Sequence, residues 1–434
     1  MATEPQIHLV KRHNRPRSGE GMRFMPESAE KQLGATAVCG KCDERFAVVR
    51  AEFERNFAYR GELGASVCVW YRGQKVVDLW GGISDPALGT AWADTTLAVV
   101  FSCTKGAVAL CVHMLAACGA IDLDAPLARY SPSFAGGGKA DITVRMVLSH
   151  QAGLPGVTRP IDTDTARDLD AMVDVLAGEE PLWRPGTRYG YHALTFGWLL
   201  GELVRRATGE TVGAFFQREV AQPLGLHFWI GLPESETARI APIVAPAQES
   251  TSPSFDAALR AREPIQVAMV NARGGVSVPE LCDTKHARRL EIPAANGTTN
   301  ARGLAGMYAP LAIGGAMNGG YLLDPVHAGE VGFPEAASAM DAVYLEPSCH
   351  SAGFEKATPG RLGRDGQHGL RISESAFGHS GLGGSVGFAD PTYRFSFGYV
   401  TNYHTRPGEA VGARRQPLID AAYEAVARLG TAPA

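Results

Sequence analysis

No apolar run in the 434 residues approaches the roughly 18 needed to cross a bilayer, so no membrane span is expected. Neither charge is in large excess. Lys and Arg number 41 against 45 Asp and Glu, a formal charge of −4. Without a basic surplus to displace counterions, nucleic acid is not an expected partner. Met1 to Glu30 is polar and lacks an apolar core ahead of a cleavage site, which points to the cytoplasm rather than to export. The eight cysteines are scattered. The one C-x-x-C, Cys39 and Cys42, has no second pair at zinc-site spacing and no strand–helix–strand setting for redox work. It reads as free thiols in a reducing compartment. Cys103, Cys111 and Cys118 lie in or near an expected helix as small packing residues. There is no His-x-x-x-His and no carboxylate cluster, and Gly136-Gly137-Gly138 lacks the Lys-Ser/Thr of a phosphate cradle. No metal and no cofactor are expected.

What remains is ordinary globular composition, 45% apolar and 20% charged, in a length suited to one large enzyme or two domains. Residues 1–42 are rich in charge, Pro and Gly, show no periodicity, and read as an extension. Asp43–Tyr59 has Phe46, Val49, Phe53 and Phe57 at helical spacing, with Gly61 as a stop. Ala65–Tyr71 and Lys75–Trp80 are β-rich around Arg72-Gly73-Gln74 and read as a hairpin. Leu97–Phe101 leads into a helix over Gly106–Cys118. Further helices are expected over Val144–His150, Ala193–Thr208, Val212–Val220 and Gly303–Leu311. Near the end the period changes to short strands, Ala376–Leu382, Ser385–Ala389 and Arg394–Thr401, before a closing helix over Gln416–Leu429. The pattern predicts an α/β (α+β) sheet domain from 43–110 and 300–434, with a mostly helical domain, 111–299, inserted into it.

Ser102-Cys103-Thr104-Lys105 is an S-x-x-K at a helix start, where positions i and i+3 share a face. A serine hydroxyl is a poor nucleophile at neutral pH, and a lysine whose pKa is lowered by burial can take its proton. The helix N-terminus adds unpaired N–H groups that can hold an oxyanion. With 21 Ser and 8 Lys in the chain, chance alone predicts about 0.4 such motifs. A second copy, Ser28-Ala29-Glu30-Lys31, falls in the irregular extension and has no strand before it or apolar helix after it. Gly383-Gly384-Ser385-Val386-Gly387 matches G-x-S-x-G, but a nucleophile elbow needs a helix after its serine. Here a short strand comes next, with Asp390 and His404 close behind in a hairpin. Ser102 is therefore the expected nucleophile. Tyr189 and Tyr191, in the loop after Pro185-Gly186, are open to two roles: a base beside the lysine, or packing ahead of a helix.

Together these pieces resemble the serine β-lactamase and penicillin-binding-protein superfamily, and within it the family VIII carboxylesterases, which are related to class C β-lactamases. The resemblance spans about residues 45–430. It rests on Phe101–Gly106, on Leu148-Ser149-His150-Gln151-Ala152-Gly153-Leu154, on Pro185-Gly186-Thr187 with Tyr191, on Pro223-Leu224-Gly225-Leu226, and on Gly378–Gly384. It implies a β-lactamase-like fold with an antiparallel sheet flanked by helices. It also implies Ser102 as nucleophile, Lys105 as its assistant and Tyr191, rather than Tyr189, as second base. The G-x-S-x-G serine of such esterases is generally not the active one, and the Ser149-His150 segment is structural. The implied oxyanion hole is formed by Ser102 and, on a strand continuing through Leu382, the N–H of Leu382. His379, Ser380 and Gly381 stand where β-lactamases carry K-T-G, and Ala193 stands where Y-x-N carries asparagine. A histidine in place of that lysine is largely neutral at pH 7 and gains charge toward pH 6. The expected substrate is then a small neutral ester rather than an anionic β-lactam. A β-lactamase, an amide hydrolase or an acyltransferase on the same machinery is the alternative reading, and a non-catalytic sensor of the same fold is a further one.

Overall fold

The computed structural model describes residues 37–244, 253–317, 320–358, 370–404 and 412–430. The Ser28–Lys31 copy lies outside them. The first half of the chain supplies β1 (Cys39–Cys42), β2 (Gly64–Tyr71) and β3 (Gln74–Asp85), with β4 (Thr90–Ala91) pairing on β3. Next come helices and a small sheet of β5 (Ala98–Val99), β7 (Thr298–Thr299) and β6 (Phe228–Trp229). A minor hairpin pairs β8 (Ala316–Met317) with β9 (Gly320–Tyr321). The last part of the chain supplies β10 (Ala336–Ser338), β11 (Ser348–His350), β12 (Glu355–Lys356), β13 (Phe377–Ser380), β14 (Val386–Asp390) and β15 (Phe395–Thr401). The main sheet has ten strands, nine of them in the order β1-β3-β2-β15-β14-β13-β12-β11-β10. All neighbours in this sheet are antiparallel, and β2 and β15 join its two parts, from Ala65 opposite Thr401 to Tyr71 opposite Phe395. Among the described residues no helix is long and apolar enough to cross a membrane.

Both faces of the sheet are covered, which explains why its central strands are buried along nearly their whole length. On one face α1 (Ala47–Tyr59) presents Val49, Phe53 and Phe57, preceded by Phe46, to Val67, Val69 and Tyr71 of β2. The closing helix of the chain packs in the same layer through Leu418, Ile419, Ala422 and Val426. Cys68, on the opposite face of β2, joins the second and larger core. That core contains α2 (Thr104–Ala117), buried almost all round, α3 (Thr195–Thr208) and α4 (Ala301–Tyr308). The closing helix is α5 (Arg415–Arg428). The β2–β3 turn has positive φ at both central residues, Arg72 at 49° and Gly73 at 76°, as a two-residue hairpin demands.

Several sequence boundaries move. Residues 39–42, read as part of an extension, form the edge strand β1, paired from Cys39 with Trp80 to Cys42 with Val77. Cys39, Gly40, Lys41 and Cys42 are partly exposed and give no alternation of apolar with polar side chains. α2 runs unbroken through residue 110, so a boundary at 110/111 falls inside one helix. Strand β13 stops at Ser380, short of Leu382, because Leu382–Gly384 turns with φ of +87° at Gly383.

α2 and α4 touch where glycine leaves room. A Cβ on Gly106 would lie 2.1 Å from Tyr308 Oη, and that hydroxyl is buried without a hydrogen-bond partner. Gly106→Ala is therefore expected to cost about 1–3 kcal/mol in urea denaturation, by overpacking. Tyr308→Phe alone is expected to be neutral or stabilising. Adding it to Gly106→Ala should recover most of the loss, since the next atom is 3.2 Å away.

Candidate active site

Ser102 stands in a tight turn, Phe101–Cys103, that leads directly into α2. Phe101 has φ +46°, in the left-handed region that a bulky residue rarely enters. The turn is pinned from behind. Val100 N–H donates to Gly297 O and Gly297 N–H to Thr104 Oγ1, both at 2.8 Å, while Thr104 Oγ1 donates to Phe101 O. One turn on, Lys105 is fully buried. Its Nζ lies 3.1 Å from Ser102 Oγ and donates to Ala294 O at 2.9 Å. Burial lowers its pKa to about 7, so an uncharged amine is available beside the hydroxyl at neutral pH.

Tyr191 completes the group. Lys105 Nζ lies 4.9 Å from the centre of its ring. Burial pushes its phenol well above the usual value, with the Tyr344 charge adding to the rise and a hydrogen bond with Ser102 opposing it. The free base at neutral pH is thus the lysine, and the tyrosine is an uncharged phenol, able to donate to the reacting atoms or relay a proton. Tyr189 points elsewhere: its hydroxyl meets His350 Nδ1 at 2.7 Å. The structure brings Ser102, Lys105 and Tyr191 together and leaves Tyr189 behind them.

The Tyr191 loop is held on two sides. Gly190 N–H donates to His150 O and His192 N–H to His150 Nδ1, both at 3.1 Å. Leu154 N–H donates to His192 Nε2 at 3.0 Å, so His192 carries its proton on Nδ1 and gives it to Gly190 O. The Ser149–Leu154 segment is thus a backbone template for the loop. From the other side Asp341 accepts from the N–H of Tyr191 (3.0 Å), Val343 (2.6 Å) and Tyr344 (2.8 Å). His150, His350 and His379 surround the Tyr191 ring with centroids 4.8, 5.9 and 6.1 Å away. Burial depresses all three, His350 and His379 to about 3, and the Lys105 charge contributes in each case.

His379 lies on β13, and this strand abuts the serine turn: Cys103 Sγ donates to His379 O at 3.3 Å, and a Cβ on Gly381 would lie 2.2 Å from Val100 O. His379 Nδ1 is 2.7 Å from Ser380 O, and the ring is 3% exposed. With a pKa near 3 it stays neutral at pH 6, which corrects the expectation that it gains charge there. Ser380 gives both its donors to Glu355, N–H at 2.9 Å and Oγ–H at 2.7 Å. Leu382 opens the turn after β13 instead of continuing the strand.

The rival serine has different neighbours. Ser385 is 2% exposed, accepts from Thr401 N–H at 3.3 Å, and leads into strand β14 rather than a helix. Asp390 is tied to Ser375 Oγ (2.9 Å) and Tyr423 Oη (2.7 Å), and the His404 ring packs on Phe101, 5.0 Å between centroids. Among the described residues no hydrogen bond joins Ser385 to either, and no group of three or more His, Cys, Asp or Glu could hold a metal ion. Asp341, His350 and Glu355 were not singled out from sequence. They sit on or between strands of two or three residues, where no periodicity can develop.

The sequence and the fold have known relatives. A sequence model of the Beta-lactamase family matches residues 50–421. Esterase/beta-lactamase LipL of Mycobacterium tuberculosis (strain ATCC 25618 / H37Rv) is 35% identical over 383 residues, covering 84% of this chain and 83% of that protein. The crystal structure of a family VIII carboxylesterase superposes with a TM-score of 0.78 at 35% identity, over 90% of this chain and all of the other. A penicillin-binding protein homologue from Caulobacter crescentus gives 0.77 at 36% identity, also over 90% and 100%. The chain belongs to the β-lactamase family.

Two measurements test the site. The dependence of kcat/KM on pH with a neutral p-nitrophenyl ester should fall on the acid side with a midpoint near pH 7, as Lys105 takes up a proton; an unchanged rate down to pH 5 would remove Lys105 as the base. Asp341→Asn is expected to lower kcat about tenfold or more with a smaller change in KM, because it loosens the Tyr191 loop rather than substrate contacts.

Proposed function

We propose that the protein is a serine carboxylesterase of the cytoplasm that hydrolyses small, neutral, short-chain esters through an acyl-enzyme on Ser102. The observation that carries the reading is the buried Lys105 amine, 3.1 Å from Ser102 Oγ and over the ring of Tyr191. Its relatives named esterase and family VIII carboxylesterase support the same chemistry. Ser102 Oγ attacks the ester carbonyl carbon as its proton passes to Lys105. The N–H groups of Ser102 and Leu382 hold the resulting oxyanion. Collapse breaks the bond to the alkoxy oxygen, and the departing alcohol takes the proton from Lys105 by way of Tyr191. Water then adds to the acyl carbon and gives a proton to the same pair. The acyl–Oγ bond breaks, Ser102 recovers its proton, and the acid leaves.

The Ser102 assignment is tested by trapping. A fluorophosphonate should label Ser102 by peptide mass spectrometry, and Ser102→Ala should lower ester turnover by at least about a thousandfold. Ser385→Ala should retain labelling at Ser102. A label on Ser385 alone would overturn the assignment. The uncharged imidazole of His379 also predicts much faster turnover of a p-nitrophenyl ester than of a chromogenic cephalosporin, whose carboxylate would forgo a charge-assisted hydrogen bond. Comparable kcat/KM values would favour the β-lactamase reading.

A further inference from the structure

β12 brings a carboxylate to the segment that the family resemblance implies for substrate contact. Glu355 lies opposite Gly378 in the β12–β13 register, one residue from His379 and two from Ser380. It is 7% exposed, and one oxygen, Oε2, accepts both the N–H and the hydroxyl of Ser380. The same oxygen lies 3.9 Å from His379 Nδ1, but that nitrogen is committed to Ser380 O and the imidazole is neutral. The Glu355 charge reaches the reacting group Tyr191, whose pKa it raises behind the larger effect of burial, and it acts in the same sense on Tyr189 behind that group. The buried Arg415 of α5 carries the opposite charge within reach of Glu355, and both act on Cys103 beside Ser102.

A carboxylate arriving on the substrate would meet three obstacles at this strand. The imidazole of His379 brings no charge. The two donors of Ser380 are already given to an acid. The acid itself repels a like charge among side chains that are nearly all buried, where such repulsion is weakly screened. An uncharged acyl group meets none of these. We propose that Glu355 is a specificity-determining residue that rejects anionic substrates, by engaging both donors of Ser380 and by its own negative charge beside β13. The proposal rests on the esterase reading of the Ser102 site and adds the charge selection of that site.

The test compares three esters at pH 8: p-nitrophenyl butyrate, the mono-p-nitrophenyl ester of glutaric acid, whose far end is a carboxylate, and the same compound with that end methylated. The wild-type enzyme should turn over the methylated compound with kcat/KM at least about tenfold above the anionic one. Glu355→Gln keeps the size and an oxygen acceptor for Ser380 and should narrow that ratio by about tenfold. Glu355→Asp, which retains the charge, should preserve most of it. A wild-type ratio within about twofold, or a ratio unchanged in Glu355→Gln with the melting temperature intact, would overturn the proposal. The wild-type ratio decides against it even where a variant does not fold. Failure to cleave p-nitrophenyl butyrate at all would instead count against the esterase reading.

Discussion

Lys105 enters the fold with its amine out of water, and the rest of the site is arranged around that fact. An ammonium at this depth is costly, so burial lowers its pKa to about 7 and leaves a neutral amine 3.1 Å from Ser102 Oγ. Other groups nearby obey the same logic. The surrounding imidazoles of His150, His192, His350 and His379 are all held neutral by burial, and Tyr191 is held protonated. The site therefore contains few full charges, and proton transfer between serine and lysine creates its charge separation only as the reaction proceeds. Packing sets this electrostatic state: α2 is enclosed by both sheet and helices, and Lys105 is enclosed with it.

The positioning is done mainly by backbone. Phe101 adopts an unfavourable conformation, and hydrogen bonds from Gly297 and Thr104 compensate for it. Tyr191 is placed by peptide groups: its own N–H on Asp341 and those of its neighbours on His150. A loop fixed in this way can carry its phenol to a defined point even though Ala193 supplies no amide side chain. His192 takes up a structural role in the same motif, joining Leu154 to Gly190 through its two ring nitrogens.

Much of this is legible in the sequence wherever an element is long enough to show a period. Phe46 with the three apolar positions of α1, the β2–β3 hairpin and the β13–β15 meander all read near their observed places. The contexts of Ser102 and Ser385 are told apart by the element after each serine, a helix for one and a strand for the other. The remainder is not legible for physical reasons. β10, β11 and β12 are three residues or fewer and include polar side chains, so Asp341, His350 and Glu355 give no pattern. β1 is an edge with half-exposed residues. The charge state of His379 depends on how deeply β13 is buried against the serine turn, a tertiary property that residue type alone does not convey.

The pairing of β2 with β15 has a consequence for how the chain is made. Ala65 meets Thr401, so the two strands at the middle of the sheet are separated by most of the polypeptide. On a ribosome, β2 and β3 emerge early, with α1 available to cover part of one face, and the free edge of β2 waits until the residues of β15 are synthesised. At about 5–20 residues per second that interval is tens of seconds. Contacts of such long sequence separation form slowly, and an uncovered strand edge in the meantime is a template for pairing with another nascent chain. Yield in the cell is thus expected to depend on chaperone capacity and growth temperature more than on the final stability of the enzyme.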